Sequence, residues 1–419
     1  MLFRSGGLIT HISGNELSLA RQGGRSEINI CGGTFNNSNM SILYQPTVNT
    51  NGPGMGPGTG IVNICAGSLM SSAIANANGA QAYLNFGGGT LAASGDSTAF
   101  VPSTMSGVHI FGAFGSFAGG AVIDSNGKNI TVPAALRKPT GQGVADIGLA
   151  EQGLGYIGEP YISIEGGSGT GATAIANMVD DGTGRGTFKV GSVTVTCPGV
   201  NYATTPTVLF KGGGFNIVTA LVGTVTLADN VSGGLTKLGD GTLTLGAANS
   251  FTGLTTVAAG TLKLGTAAAL MPNTPITLAG GTLDLGGFTI TNTISGFGSV
   301  TNGTIQTVFS PAGTGVVGTN TIALASTAVK GLYLADVTAD GACDRLNIQG
   351  DINLDIMDLQ IVNTDALTRG KVYTILTCTG ARTGRFRSVN LTDNRWNVLY
   401  RQDGSVQLFF VSGTLLRIK

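Results

Sequence analysis

"KLGDGTLTLGAANSFTGLTTVAAGTLKLG", residues 237–265, states one short phrase twice. The step Gly241-Thr242-Leu243-Thr244-Leu245-Gly246 returns as Gly260-Thr261-Leu262-Lys263-Leu264-Gly265. Apolar and hydroxyl residues alternate between glycines, the pattern of short strands joined at tight corners. Neither copy carries a reactive group.

Outward from this pair, a Gly-[Ser/Thr]-[Leu/Phe/Ile] step recurs with its hydroxyl residue at Thr34, Ser68, Thr90, Thr242, Thr261, Thr282 and Thr304. Gly33, Gly67, Gly89, Gly241, Gly260, Gly281 and Gly303 precede these anchors. Four residues before each anchor stands an apolar residue: Ile30, Ile64, Phe86, Leu238, Val257, Leu278 and Val300. The shortest separations are 19 to 22 residues, and longer gaps hold insertions. A second phrase, "VIDSNGKNIT" (122–131), returns as "TLDLGGFTIT" (282–291), with Asp124 and Asp284 in equivalent places.

A unit of about 20 residues with short strands and glycine corners reads as one rung of a β-solenoid. A rung cannot bury its apolar face alone; stacking at about 4.8 Å pairs each strand with the rungs on either side. Inward Leu, Val and Ile then form ladders, glycine turns the corners, and Thr and Lys decorate the outside. An ordinary β-sandwich fits the strand lengths but leaves the coordinated positions to coincidence.

Composition agrees. Gly and Pro make up 81 of 419 residues, about 19% against roughly 12% in average usage. Charged residues are 11% and hydrophobic residues 42%, enough apolar material for a large core. Lys+Arg and Asp+Glu both number 22, so net charge gives no footprint for nucleic acid. No run of about 18 apolar residues marks a transmembrane helix. The start, Met-Leu-Phe-Arg-Ser-Gly-Gly, lacks a secretory signal, and we expect a fragment cut in mid-solenoid with its export signal upstream.

Two segments follow other rules. "GYIGEPYISIEGG" (155–167) is echoed 46 residues on by "NYATTPTVLFKGG" (201–213), aligning Tyr156 with Tyr202 and Pro160 with Pro206. We expect a small duplicated β module. Residues 325–419 lose the 20-residue beat, carry the single Trp396, and read as the cap a solenoid end requires. The expected organisation is therefore solenoid at 1–150, module at 151–215, solenoid at 216–324 and cap at 325–419. Roughly 12–15 rungs would make a rod near 60–70 Å.

Residues 233–265, "GGLTKLGDGTLTLGAANSFTGLTTVAAGTLKLG", closely resemble the autotransporter-associated β-strand repeat of large bacterial surface and secreted proteins. The module and the C-terminal "DRLNIQGDINL" and "GKVYTILTCTG" resemble segments that accompany such repeats. The resemblance implies an all-β, right-handed parallel β-helix at the bacterial surface, with adhesive or structural roles and usually no catalysis. No series of amphipathic strands long enough for an outer-membrane barrel follows.

A search for chemistry returns little. His11 and His109 each sit in strand-like alternation and read as structural. Asp124 and Asp284 are several rungs apart and read as corner residues bonding their own turns. Asp180-Asp181-Gly182 reads as a hairpin turn. "GGSGTGATA" (166–174) lacks the βαβ context of a dinucleotide site and has Gly171 where a calcium-binding nonapeptide needs Asp, so it reads as a glycine-rich loop. No metal or cofactor is expected.

Five cysteines are scattered without a Cys-x-x-Cys. Cys31 and Cys65 share a rung position, and a buried small-apolar ladder is favoured over a disulfide. Asn29, Asn63 and Asn85 all lie five residues before an anchor and alternate with inward apolar neighbours. They define an outer polar stripe, solvated or available for glycan, host or matrix contact. The expected function is a non-enzymatic surface or secreted display rod or adhesin. A self-assembling filament and a polysaccharide-degrading β-helix are the alternatives.

Overall fold

The computed structural model describes residues 2–3, 8–10, 17–19, 25–37, 42–44, 58–76, 81–214, 218–311 and 315–412. His11 lies outside them. Apart from single 3-10 turns at Leu354–Ile356 and Thr364–Ala366, the regular elements among the described residues are strands. The chain divides into two compact units, Met1–Thr236 with Asn249–Gly253, and Lys237–Ala248 with Leu254–Lys419.

In the first unit, strands successive along the chain become parallel neighbours. Leu2–Phe3, Arg25–Ile30, Thr59–Ile64, Gln81–Phe86, Gly107–Ile110 and Leu136–Arg137 form one parallel sheet in that order. Leu8–Thr10, Thr34–Asn37, Ser68–Ser71, Thr90–Ala93 and Ala121–Asp124 form a second ladder. Leu17–Leu19, Ile42–Tyr44 and Ile74–Asn76 form a third. Identical register stacks like on like: Ile30, Ile64, Phe86 and Ile110 align, as do Phe35, Leu69, Leu91 and Ile123. All eight are buried. The step between in-register residues varies, from 22 residues at Thr59 to Gln81 to 34 at Arg25 to Thr59, so loops absorb length while register holds.

Next along the chain within the first unit, strand pairing places the inserted module at 142–229, wider than 151–215 on both sides. Its six strands are antiparallel: Gln142–Glu151 with Leu221–Asp229, Tyr161–Glu165 with Thr207–Lys211, and Thr173–Asp180 with Phe188–Cys197. The 46-residue offset carries Gln142–Glu151 onto Phe188–Cys197 and Tyr161–Glu165 onto Thr207–Lys211, end for end. Each half is thus three strands, not one. The halves also exchange contacts. A Cβ on Gly213 would meet the Tyr156 ring at 2.8 Å, and one on Gly167 would meet the Tyr202 ring at 2.9 Å. Gly213 accepts hydrogen bonds from the Ile157 and Gly158 amides, and Gly167 from those of Ala203 and Thr204. Both tyrosines are buried, and Tyr156 Oη accepts from the Ala220 amide at 2.9 Å. The flanking strand 142–151 alternates like a ladder strand, which is why the sequence boundary fell inside it.

The second unit resumes parallel stacking. Thr242, Thr261 and Thr282 align, and so do Leu243, Leu262 and Leu283, all three leucines buried. The next position belongs to Ser299 with Val300, not to Thr304, which pairs with Thr289 on a neighbouring ladder. Gly298-Ser299-Val300 escaped the sequence pattern because Val was not admitted after the anchor. Parallel pairing continues past 325: Thr319–Ala335 pairs with Arg345–Gln349 and Met357–Ile361, and Arg345–Gln349 pairs with Val372–Cys378. The steps lengthen to 26 residues (Thr319 to Arg345) and 30 (Leu346 to Leu376), which hides the beat from a 20-residue search. The antiparallel closure is confined to Trp396–Tyr400 and Val406–Phe410, the latter paired also with Val372–Cys378. Trp396 packs edge-on against Phe410 at 5.5 Å between ring centroids.

The corner glycines answer to two constraints. Gly33, Gly241 and Gly260 take φ of 65°, 85° and 59°, where a side chain is strained. Gly67 and Gly89 lack that conformation; space is the constraint. A Cβ there would lie 2.6 Å from Ile30 Cγ2 and 2.5 Å from Ile64 Cγ2 respectively.

Lys237 corrects another expectation, since it does not decorate the outside. It is fully buried and its Nζ donates to the carbonyls of Leu238 (2.8 Å), Gly239 (2.6 Å) and Ala259 (3.1 Å). The Ala258 amide bonds the Lys237 carbonyl as the Cys65 amide bonds Ile30, which puts Lys237, not Leu238, level with Val257. Gly260 leaves the room: a Cβ there would sit 2.9 Å from the Lys237 Nζ. Lys237→Met removes the donor from three partly buried carbonyls and should lower stability by about 1–3 kcal/mol, read from urea midpoints. An unchanged midpoint would contradict the role given to this corner.

Candidate functional site

The outer stripe exists, and it is covered. Asn29, Asn63, Asn85 and His109 stand in register on adjacent strands of the first sheet. The three asparagines are only 4%, 1% and 5% exposed. Alternation directs their side chains away from the ladder core, as the sequence implied. The module then packs over them, so the expectation of an open polar stripe fails at all three asparagines. Their polar groups are satisfied internally, as buried amides must be.

The amides form a chain. Asn85 Nδ2 donates to Asn63 Oδ1 at 2.9 Å, Asn63 Nδ2 to Asn29 Oδ1 at 2.7 Å, and Asn29 Nδ2 to Glu27 Oε1 at 2.7 Å. The second proton of Asn63 Nδ2 goes to Thr173 Oγ1 of the module at 2.8 Å. Thr173 and Thr196 hydroxyls meet at 2.7 Å, and the Cys65 thiol donates to the Thr196 carbonyl at 3.2 Å. Thr173 and Thr196 had no signal in the sequence, because each lies more than a hundred residues from the side chain it meets.

At the far end, His109 Nδ1 lies 3.2 Å from Asn85 Oδ1, so the neutral ring carries its proton there. Burial, with Arg137 adding to it, lowers the His109 pKa to about 4. The unfolded ring binds a proton below about 6.5 and the folded ring does not. Stability contributed at His109 is therefore full above pH 6.5 and lost as pH falls toward 4, by up to about 3 kcal/mol. His109→Asn, which keeps a donor for Asn85, should flatten that part of the stability–pH curve in urea titrations. A curve as steep as the parent's would assign the slope elsewhere.

The near end stays open. A cleft of about 370 Å³ lies between the first sheet and the module, lined by Arg25, Glu27, Asn29, Glu159 and Tyr161 among others. Tyr161 is 46% exposed, and Arg25 sits 3.7 Å from Glu27. Burial raises the Glu27 pKa, against the Asn29 hydrogen bond and the Arg25 charge. This cleft retains Asn29 and supplies an aromatic face, a cation and two carboxyl groups.

The remaining candidates are structural. Asp124 Oδ1 accepts from the Asn126 amide at 2.7 Å and Asp284 Oδ1 from the Gly286 amide at 2.9 Å, each closing its own turn. Asp181 accepts from Thr183 and Thr187 in the hairpin at 180–188, and these bonds hold its carboxyl down to about 2. Residues 166–172 form a loop in which Gly166, Gly167 and Ser168 take positive φ, and Thr173 and Ala174 open the strand Thr173–Asp180. Among the described residues, no group of three or more His, Cys, Asp and Glu is placed to hold a metal ion. No helix among them is long and apolar enough to cross a membrane.

Residues 235–264 match the passenger-associated-transport-repeat family. These are the in-register strands Gly241–Leu245 and Thr261–Leu264 with the Lys237 corner before them. Over that stretch the chain carries an autotransporter-associated repeat. No curated protein matches the chain. Among solved structures, the crystal structure of the Haemophilus influenzae Hap adhesin aligns at 10% identity with a TM-score of 0.19, covering 94% of this chain. The chain spans about half the length of that structure (49%).

Proposed function

We propose that this autotransporter-associated repeat protein is a surface-displayed, passenger-type adhesin with no catalytic activity of its own. The ladders are read as turns of a right-handed parallel β-solenoid, with the module as an insertion that presents a binding face. The observation that carries this reading is the match of residues 235–264 to a passenger-associated repeat, falling on stacked strands with identical register. Support comes also from the polar groups, which serve turns and ladders; the carboxyl groups of Asp124, Asp181 and Asp284 each close a turn.

Glycan contact is assigned to the cleft between Arg25, Glu27 and Tyr161, where an exposed ring beside hydrogen-bonding side chains suits a sugar face. The test is binding of the purified chain to a glycan array and to matrix-coated surfaces. Tyr161→Ala with Arg25→Ala should weaken a positive signal about tenfold or more, roughly 1.4 kcal/mol. Equal binding by parent and double variant would remove the cleft from the account. Absence of the chain from the surface of intact source cells, probed by antibody, would remove the display reading itself.

A further inference from the structure

The structure assigns a redox-active thiol pair, Cys31 and Cys65, that closes to a disulfide stapling two adjacent turns beneath the inserted module. The two residues follow Ile30 and Ile64, which are in register on neighbouring parallel strands. The Cys65 amide bonds the Ile30 carbonyl at 2.9 Å, so the ladder extends to this position. Neighbouring strands lie about 4.8 Å apart, inside the Cα separation that a disulfide spans. The thiols are free, and their sulfurs are 3.1 Å apart. A ladder of small apolar residues does not require this approach.

Access and reactivity differ between the partners. Cys31 is partly exposed and Cys65 is buried. Contact with the Cys31 thiol, together with burial, raises the Cys65 pKa. A thiolate is the nucleophile, so Cys31 reacts first. With oxidised glutathione, the Cys31 thiolate attacks one sulfur, breaking that S–S bond and releasing one glutathione thiolate. The Cys65 thiolate then attacks the Cys31 sulfur and releases the second. Two protein thiols lose two protons and two electrons, and one glutathione disulfide becomes two glutathione thiols. Cys197, also buried, packs with Phe111 and Val200, and burial pushes its thiol up to about 12. Bridge formation releases the proton that Cys65 donates to the Thr196 carbonyl, so the pair's state reaches the module contact directly.

The test uses the full chain with oxidised glutathione, followed by alkylation without reductant and trypsin. Arg25 and Lys128 bound a stretch free of other Lys and Arg, so residues 26–128 form one tryptic peptide whose cysteines are Cys31 and Cys65. The expected result is that this peptide loses two hydrogens, resists alkylation, and recovers both thiols with dithiothreitol. Free thiols in the denatured chain should fall from five to three. Cys65→Ser should stop at a glutathione adduct on Cys31, and Cys31→Ser should leave Cys65 reduced. Full alkylation after oxidation, a parent chain that stops at the Cys31 adduct, or a link from Cys65 to Cys197 would each overturn the assignment.

Discussion

The backbone amides of a parallel strand find carbonyls only on the strands beside it, so each turn is held by the turns on either side. That requirement fixes register, and register places like residues above one another. Ile30 lies level with Ile64 and Phe86, Leu243 with Leu262 and Leu283, Asn29 with Asn63 and Asn85. An apolar column gains from burial, at about 25 cal/mol per Å². A buried asparagine column is tolerated because each amide has a donor and an acceptor to offer its neighbours. Here Asn63 spends its two protons on Asn29 and Thr173, and its oxygen on Asn85.

The module turns that column from a surface into an interface. Its two halves, offset by 46 residues, hold each other through tyrosine-against-glycine contacts at Tyr156 with Gly213 and Tyr202 with Gly167. The strand end at Thr173 meets the asparagine column through Asn63. The result is a sheet buried on both faces over Thr59–Ile64, where five of six residues are buried. What remains open for recognition is the cleft at the end of the column, where Arg25 and Glu27 face Tyr161.

Strand content and the parallel stacking of like residues were legible in the sequence, because glycine spacing and apolar position recur with register. The cover over Asn63 and Asn85 was not, since alternation tells which way a side chain points and nothing of what packs on it. Lys237 was misplaced by one residue because a lysine in an apolar ladder breaks the pattern; only the carbonyls of Leu238, Gly239 and Ala259 make it acceptable there. The continuation of parallel turns to Cys378 was hidden by longer loops, which change the sequence period and leave the register untouched. The resemblance at 233–265 falls on the stacked strands Gly241–Leu245 and Thr261–Leu264, which give it a physical basis.

Hydrogen–deuterium exchange of the intact chain tests the central claim most directly. Thr59–Ile64 is paired on both edges, with Arg25–Ile30 and Gln81–Phe86, and is covered by the module on its outer face. Its amides should be among the slowest to exchange, far slower than those of the turn at 112–119. Exchange over 59–64 as fast as in that turn would contradict both the ladder and its cover.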